Sequence, residues 1–537
     1  MKILKNRLIM MFILFTFAFM VIIIRLAVIS NSDILAQTAS MQNKYTLKIA
    51  EERGNIYDRN FNKLVNVQEN YCAVIMPAEN NITQTATEFN RDKNILSKLQ
   101  SRKPFIIDIE NPFLNIPNTA VFKTYRRYTE NQQAAHLLGY LNAEHTSGIT
   151  GIEKAYDDFL VQNKNESHIS FPVDGKGQMV RGEIKLIESE ENKAGVVLTI
   201  DYGIQAIVER IGAETIKKGA IVISDPYSGE IIACASFPSF APNDLFESVN
   251  DVDNTPMINR AFYPFNVGST FKIPIAAAAL EANISQKHTY NCTGKIEIND
   301  LTFRCHNRAG HGVLDMKKAM KESCNTYFVS LASAVKSGKV QQTAYDFGYG
   351  KSTRFGGDLR SASGYLPSLQ ELSLPGELAN FSFGQGKLLA TPIQVNAALC
   401  AILNDGKYIT PKLIKGTTLD GERYESDVKD IAPITCVKKS TAKTIKEFLI
   451  YSVAERAKEV GPNVKVGGKT GTAQTGKFGK DKKEEYTAWF SGFFPAKKPA
   501  YAVTVLIENG ESGNRVAYPV FSRLADEIVI YEKLNKK

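Results

Sequence analysis

Gly268-Ser269-Thr270-Phe271-Lys272, followed by the apolar run Ile273 to Leu280, is the stretch on which the reading turns. The pattern predicts a helix starting at Ser269, which puts the Ser269 hydroxyl and the Lys272 amine on one face. A serine hydroxyl is a weak nucleophile until a neighbouring base takes its proton. Lysine can be that base when burial and nearby positive charge lower its pKa. The helix start also offers N–H groups to a developing oxyanion. S-x-x-K alone is unspecific, since it recurs at Ser333 and Ser440, both expected on solvated helix faces. S-x-N occurs at Ser248, Ser323 and Ser512, and K-T-G once, at Lys469-Thr470-Gly471. In the chain order S-x-x-K, S-x-N, K-T-G, one set fits: Ser269, Ser323 and Lys469.

Strands and helices are expected on both sides of this stretch. Val196 to Ile200 reads as a strand, and Asp201 as the N-cap of a helix through Ile216. Gly219–Ser224 and Glu230–Ala235 read as strands joined by the turn-forming Asp225-Pro226-Tyr227-Ser228-Gly229. Further helices are expected from Asp315 and over Pro392–Asn404, and further strands over Val464–Gly468, Thr487–Phe494 and Ala502–Glu508. Ala517–Leu534 closes the chain as a helix with Val520, Leu524 and Ile528 on one face. Strands at both ends with helices between predict an α/β (α+β) domain over 196–537, one sheet sandwiched by helical layers. Residues 30–195 carry shorter segments and read as an elongated, mixed α/β stalk. These are a strand-turn-strand around Arg53–Asn60, loops and a helix over Glu79–Asp108, a short helix over Gly148–Leu160, and a turn at Asp174-Gly175-Lys176-Gly177.

The 537 residues are 44% hydrophobic and 23% charged, which excludes collagen-like, coiled-coil and broadly disordered chains. Basic and acidic residues number 65 and 56, and no Lys/Arg block carries the +9 excess, so nucleic acid is not an expected partner. Leu8 to Ile24 is apolar except at Thr16, and as a helix it spans roughly 26 Å, near the short limit for a bilayer. Extension to Ile29, with Arg25 snorkelling, predicts a membrane anchor over 8–29. Lys2, Lys5 and Arg7 make residues 1–7 a cytoplasmic tail and place the remainder outside the cell. A cleaved signal peptide is the competing reading, with Ser30-x-Ser32 as its weak cleavage candidate. Seven scattered cysteines make no disulfide framework. Cys292 and Cys305 flank a hairpin over Lys295–Arg304, so free thiols, a disulfide, or a metal site with His306 and His311 all stay open.

The ordered motifs resemble those of the active-serine, penicillin-recognising enzymes, and the chain as a whole resembles a class B penicillin-binding protein, a monofunctional peptidoglycan DD-transpeptidase. Arg53-Gly54-Asn55-Ile56-Tyr57-Asp58-Arg59 is similar to the family's stalk motif, and Gly151-Ile152-Glu153-Lys154-Ala155-Tyr156 to its G-[LI]-E-x-x-Y segment. Asp225 to Pro238, Gly384-Gln385-Gly386, Thr391-Pro392-Ile393-Gln394 and Trp489-Phe490-Ser491-Gly492-Phe493 match further segments. The resemblance implies a transpeptidase-like fold with a central antiparallel sheet. It also implies roles. Ser269 would be acylated by the D-Ala-D-Ala stem peptide, or by β-lactams, with Lys272 as general base. Ser323 and Lys469 would pass a proton to the leaving amine, and Asn325 would hold substrate backbone. Thr470, Gly471 and Thr472 would line the carboxylate and oxyanion sites. No cofactor and no metal at the site are implied. The implied partner is a polytopic membrane glycosyltransferase.

The chain departs from the family at Val267, where proline is common, and Cys324, inside the second motif, reads as a space-filling residue. The loop Thr475–Glu485 reads as a solvated hairpin tip or a gate over the cleft. Rival readings are a D-Ala carboxypeptidase or β-lactamase, with Glu377 near Asn380 as a water-activating candidate, and a non-catalytic β-lactam sensor or scaffold. Elongation, division and sporulation are not distinguished by these residues, nor is the acceptor amine.

Overall fold

The computed structural model describes residues 2–30, 44–173, 185–187, 192–426, 431–460, 462–478 and 484–535. The turn expected at Asp174–Gly177 and the Ser30-x-Ser32 site, at Ser32, lie outside them. The apolar run folds within one helix, Lys2–Ser30, none of whose side chains is buried. It is long and apolar enough to cross a membrane.

The chain forms two compact units, and the division differs from the expected one at residue 195. One unit gathers residues 1–53, 68–126 and 164–192. In it, Lys44–Glu52 pairs antiparallel with Asn165–Pro172, and Gln68–Ile75 lies between Phe105–Ile109 and Thr119–Arg126 in a second sheet. Glu79–Asp108 holds two short helices, Ile82–Glu88 and Ile95–Gln100, where one was expected.

The other unit takes residues 54–67 and 127–163 together with 193–537. The reason is non-local pairing. β1 (Asn55–Tyr57) runs parallel to β2 (Gly195–Leu198), and Ile56, Leu138, Ile152 and Leu160 are buried in one cluster with Val196 and Leu198. Buried polar groups join the same segments. Glu153 Oε1 accepts from Arg127 Nε at 2.7 Å and from the Tyr128 hydroxyl at 3.2 Å. Arg127 also donates to the Gly54 carbonyl at 2.7 Å. Arg127 therefore joins the two motifs read as belonging to a stalk, by an ion pair to Glu153 and a hydrogen bond to the Gly54 carbonyl.

Within this second unit, Asp201 caps α1 (Tyr202–Thr215) as expected, its side chain accepting from Ile204 N. β3 (Gly219–Ser224) turns at Gly229, φ +74°, into β4 (Ile231–Phe237). A 3₁₀ turn, Gly268–Phe271, leads into α2 (Lys272–Glu281), and α3 is Asn325–Val335. α4 (Pro392–Leu403) is buried along its whole length. Thr391 and Gln394 cap it reciprocally, which gives the T-P-x-Q segment its physical purpose. β5 (Gly467–Phe478), β6 (Glu484–Phe494) and β7 (Tyr501–Glu508) complete the sheet, and α5 (Tyr518–Asn535) closes the chain.

The sheet order is β4-β3-β7-β6-β5, antiparallel throughout. α1 and α5 bury one face through Val208, Ile211, Phe521 and Leu524. α2, α3 and α4 build the core on the other face. Asn396 fastens α4 to the sheet, its amide donating to Ala502 O at 3.0 Å and Val222 O at 3.3 Å. Replacing this buried donor removes both contacts between the helix and the sheet backbone. Asn396→Ala is expected to lower unfolding stability by about 1–3 kcal/mol, read by chemical denaturation, with the sheet register otherwise kept.

Candidate active site

Ser269 sits in the 3₁₀ turn, one residue after Gly268, and Lys272 opens α2. The turn is held from three sides. Gly268, at φ +63°, donates its N–H to Gly384 O at 2.8 Å. Any side chain at Gly384 would place its Cβ 2.0 Å from Gly268 O, so this approach requires glycine. Trp489, fully buried on β6, donates its indole N–H to Asn266 O at 2.9 Å. Gly471 lets β5 close on Thr270 and Val267, since a Cβ there would stand 3.1 Å from the Thr270 methyl. The G-Q-G, W-F-S-G-F and K-T-G segments thus all bear on one turn.

Lys272 is fully buried. Its Nζ lies 3.0 Å from Ser269 Oγ, 2.7 Å from Ser323 O, 3.2 Å from Ser323 Oγ and 2.7 Å from Asn325 Oδ1. All four are neutral oxygens. Burial, and then the charge of Lys469, hold its pKa well below the ordinary lysine value; Cys324 and Cys305 act in the opposite direction. A neutral amine has two N–H donors and one lone pair. The two shortest contacts, to a carbonyl and an amide oxygen, take both donors and leave the lone pair for a hydroxyl. Ser323 reaches the site on the bend before α3, at φ +51°, a left-handed conformation rare outside glycine. That strain turns both its carbonyl and its hydroxyl to Lys272.

Lys469 lies in β5, opposite Ser491 of β6, and is 2% exposed. Burial lowers its pKa to about 7. Its Nζ donates to Thr470 O at 3.2 Å. Thr472 Oγ1 accepts from Gly513 N at 3.2 Å, which brings in the Gly513–Ala517 turn that the sequence reading did not connect with the site. The K-T-G residues are within the strand, not after it as expected.

The other candidates separate from this cluster. Ser333 is exposed and bonds back to Val329 O, and Ser440 is exposed on Lys439–Val453. Glu377 falls in the first turn of the helix Pro375–Phe381, not in a loop, and among the described residues makes no hydrogen bond to Ser269 or Lys272. Thr475 Oγ1 bonds to Glu485 O, as in a hairpin, and residues 479–483 of the proposed gate lie outside the description.

Cys324, fully buried, stands among other metal-ligating groups. Its sulfur, those of Cys292 and Cys305, and a ring nitrogen of His311 all lie within 4.8 Å of one another. Cys305 Sγ is 3.9 Å from Cys324 Sγ and 3.6 Å from His311 Nδ1, and Cys292 Sγ is 3.5 Å from the same nitrogen. Tetrahedral zinc with Zn–S of about 2.3 Å sets ligand separations of roughly 3.5–3.8 Å. Three thiols and an imidazole at these spacings are a donor set that could hold such an ion, with Cys324 added to the Cys292, Cys305 and His311 of the open metal reading. His306, the other candidate, contacts Cys305 Sγ at 3.9 Å, and the cysteines are free thiols.

Residues 219–526 match the penicillin-binding protein transpeptidase domain. Stage V sporulation protein D of Bacillus subtilis is 30% identical over 522 residues, covering 89% of this chain and 78% of that protein. The peptidoglycan D,D-transpeptidase MrdA of Escherichia coli K12 is 26% identical over 578 residues, covering 92% and 89%. Penicillin-binding protein A of Mycobacterium tuberculosis, solved as its penicillin G acyl-enzyme, superposes with a TM-score of 0.65 at 21% identity, covering 89% and 100%. The antiparallel sheet, the serine turn and this match settle the class: the chain belongs to the penicillin-binding protein transpeptidases. It is a serine acyl-transfer enzyme that binds β-lactams and acts in peptidoglycan cross-linking.

Three outcomes follow. Lys272→Arg, which keeps a long basic side chain but replaces an amine of lowered pKa with a permanently charged guanidinium, is expected to slow acylation by a fluorescent penicillin by about 10²–10⁴-fold. Acylation by a carboxylate-bearing β-lactam is expected to fall as pH rises through about 7, where Lys469 loses its proton, and Lys469→Met should abolish that limb. Zinc-loaded protein should protect Cys292, Cys305 and Cys324 from maleimide until a chelator is added; labelling indifferent to chelator contradicts the metal fit.

Proposed function

We propose that the chain, held at the outer face of the cytoplasmic membrane by Lys2–Ser30, cross-links stem peptides with Ser269 as nucleophile. The observation that carries this is the Lys272 amine, buried among four neutral oxygens and 3.0 Å from Ser269 Oγ. As Oγ bonds to the penultimate D-Ala carbonyl carbon, its proton passes to the Lys272 lone pair. The oxyanion that forms is met by backbone N–H groups of Ser269 and Thr472, each such donor contributing about 3 kcal/mol in comparable sites. Collapse breaks the peptide C–N bond. Ser323 relays the proton from Lys272 to the departing D-Ala amine, with Lys469 close to its path.

Lys469 and the Thr470 and Thr472 hydroxyls hold the terminal carboxylate, a charge-assisted contact. Asn325 anchors both Lys272 and the substrate backbone, and Gly471 keeps the strand close enough for these contacts. An acceptor amine from a second stem peptide then enters, loses its proton to Lys272 and takes the acyl group. The basic Lys2, Lys5 and Arg7 support a cytoplasmic N-terminus, with the catalytic unit extracellular, or periplasmic where an outer membrane exists. The glycan strands are supplied by a polytopic membrane glycosyltransferase partner.

Supplied with lipid-linked peptidoglycan and a polymerase, the full-length protein is expected to yield dimeric stem peptides. Ser269→Ala should yield none and take no fluorescent penicillin. Tetrapeptide monomers without dimers would instead make it a carboxypeptidase.

A further inference from the structure

At the opposite edge of the sheet from Lys469, beside β4, the second unit contains a cavity of about 680 Å³ that acyl transfer does not use. Four strand spacings put it roughly 19 Å from β5. Its walls include Ile216, Phe237 and Phe240. The Phe237 ring lies directly on α1, where a Cβ at Gly212 would stand 1.9 Å from it, so glycine there is what allows this wall to form. The charged groups facing the cavity are Glu130 from the segment after Arg127, Glu209 on α1, Lys217 just after it, and Asp244 and Glu247 following β4. Four carboxylates therefore face one ammonium, in a chain whose net charge is +9. Among the described residues none of the five is in an ion pair.

Glu209 is the fixed point. Its Oε1 accepts from Ala134 N at 2.7 Å and from the Gln205 amide at 2.8 Å, and Gln205 Oε1 in turn accepts from Cys234 N at 2.9 Å. Its Oε2 accepts no bond from the described residues. Burial pushes the carboxyl up to about 7. A half-buried carboxylate with one oxygen open to the cavity gains from any occupant that brings N–H donors and a positive charge, and aromatic walls favour a cation further.

We propose that this cavity binds an organic cation, an ammonium or guanidinium on an apolar body, with Glu209 as its counter-ion. That chemistry has two sources: a small amine, or a Lys or Arg side chain presented by a partner protein. Phe246 and Val249, exposed on the same short helix as Glu247, would give such a segment apolar footing.

The test is calorimetry on full-length protein in detergent with three probes: phenethylammonium, phenethyl alcohol, and the peptide Ac-Leu-Arg-Phe-NH₂. At least one cation should bind tenfold or more tightly than the alcohol. Glu209→Gln should lose tenfold or more of that affinity while Ser269 still takes fluorescent penicillin at the parental rate, which certifies the fold independently of the cavity. A tighter peptide identifies a partner's basic residue as the source, and a tighter free amine identifies a small molecule. Binding of neither cation, equal binding of the alcohol, or unchanged affinity in Glu209→Gln overturns the proposal.

Discussion

A lysine amine buried without a carboxylate is the constraint from which this active site follows. Isolated positive charge in a low-dielectric interior is costly, and burial beside a second lysine lowers the Lys272 pKa, which favours the neutral amine. Lys272 hydrogen-bonds to four neutral oxygens, with the Phe328 ring centroid 5.6 Å from its Nζ, and a second lysine stands near enough to oppose its protonation. In the proposed mechanism the Lys272 amine is both the proton acceptor for Ser269 and a brace for the Ser323–Asn325 bend. Catalytic power and local geometry depend on the same four contacts.

Because the base is fixed, the nucleophile has to be brought to it with equal rigidity. Gly384, Trp489 and Gly471 supply this from three separate parts of the chain, by a backbone hydrogen bond, an indole hydrogen bond and a close strand approach. Each contact is made to the turn or to its immediate neighbours. A site preorganised in this way loses little on acylation.

Much of this was legible in the sequence, and particular residues show why. Ser269, Lys272, Ser323 and Asn325 meet as their ordered motifs implied, because each motif is local and its chemistry is written in residue type. The strand ends were less legible. Lys469 was expected beyond a strand ending at Gly468, yet β5 runs to Phe478 because pairing with β6 overrides the poor strand propensity of G-G-K-T-G. The compact units divide the chain differently from a boundary at residue 195 for a similar reason: β1 finds its partner in β2, far along the chain. Cys292, Cys305 and His311 were grouped in the sequence without a recognisable metal spacing, and the fold adds Cys324, 13 positions beyond His311, which by sequence reads as filling space. Glu209 gave no signal at all, because its enclosure arises from segments distant in the sequence.

The neutral Lys272 amine is the central claim, and NMR titration of ¹³C-labelled lysines measures it most directly, with Lys272 assigned by its loss in Lys272→Arg. The account predicts a Lys272 resonance that titrates well below the ordinary lysine value near 10.5. A Lys272 that titrates with the surface lysines would contradict it.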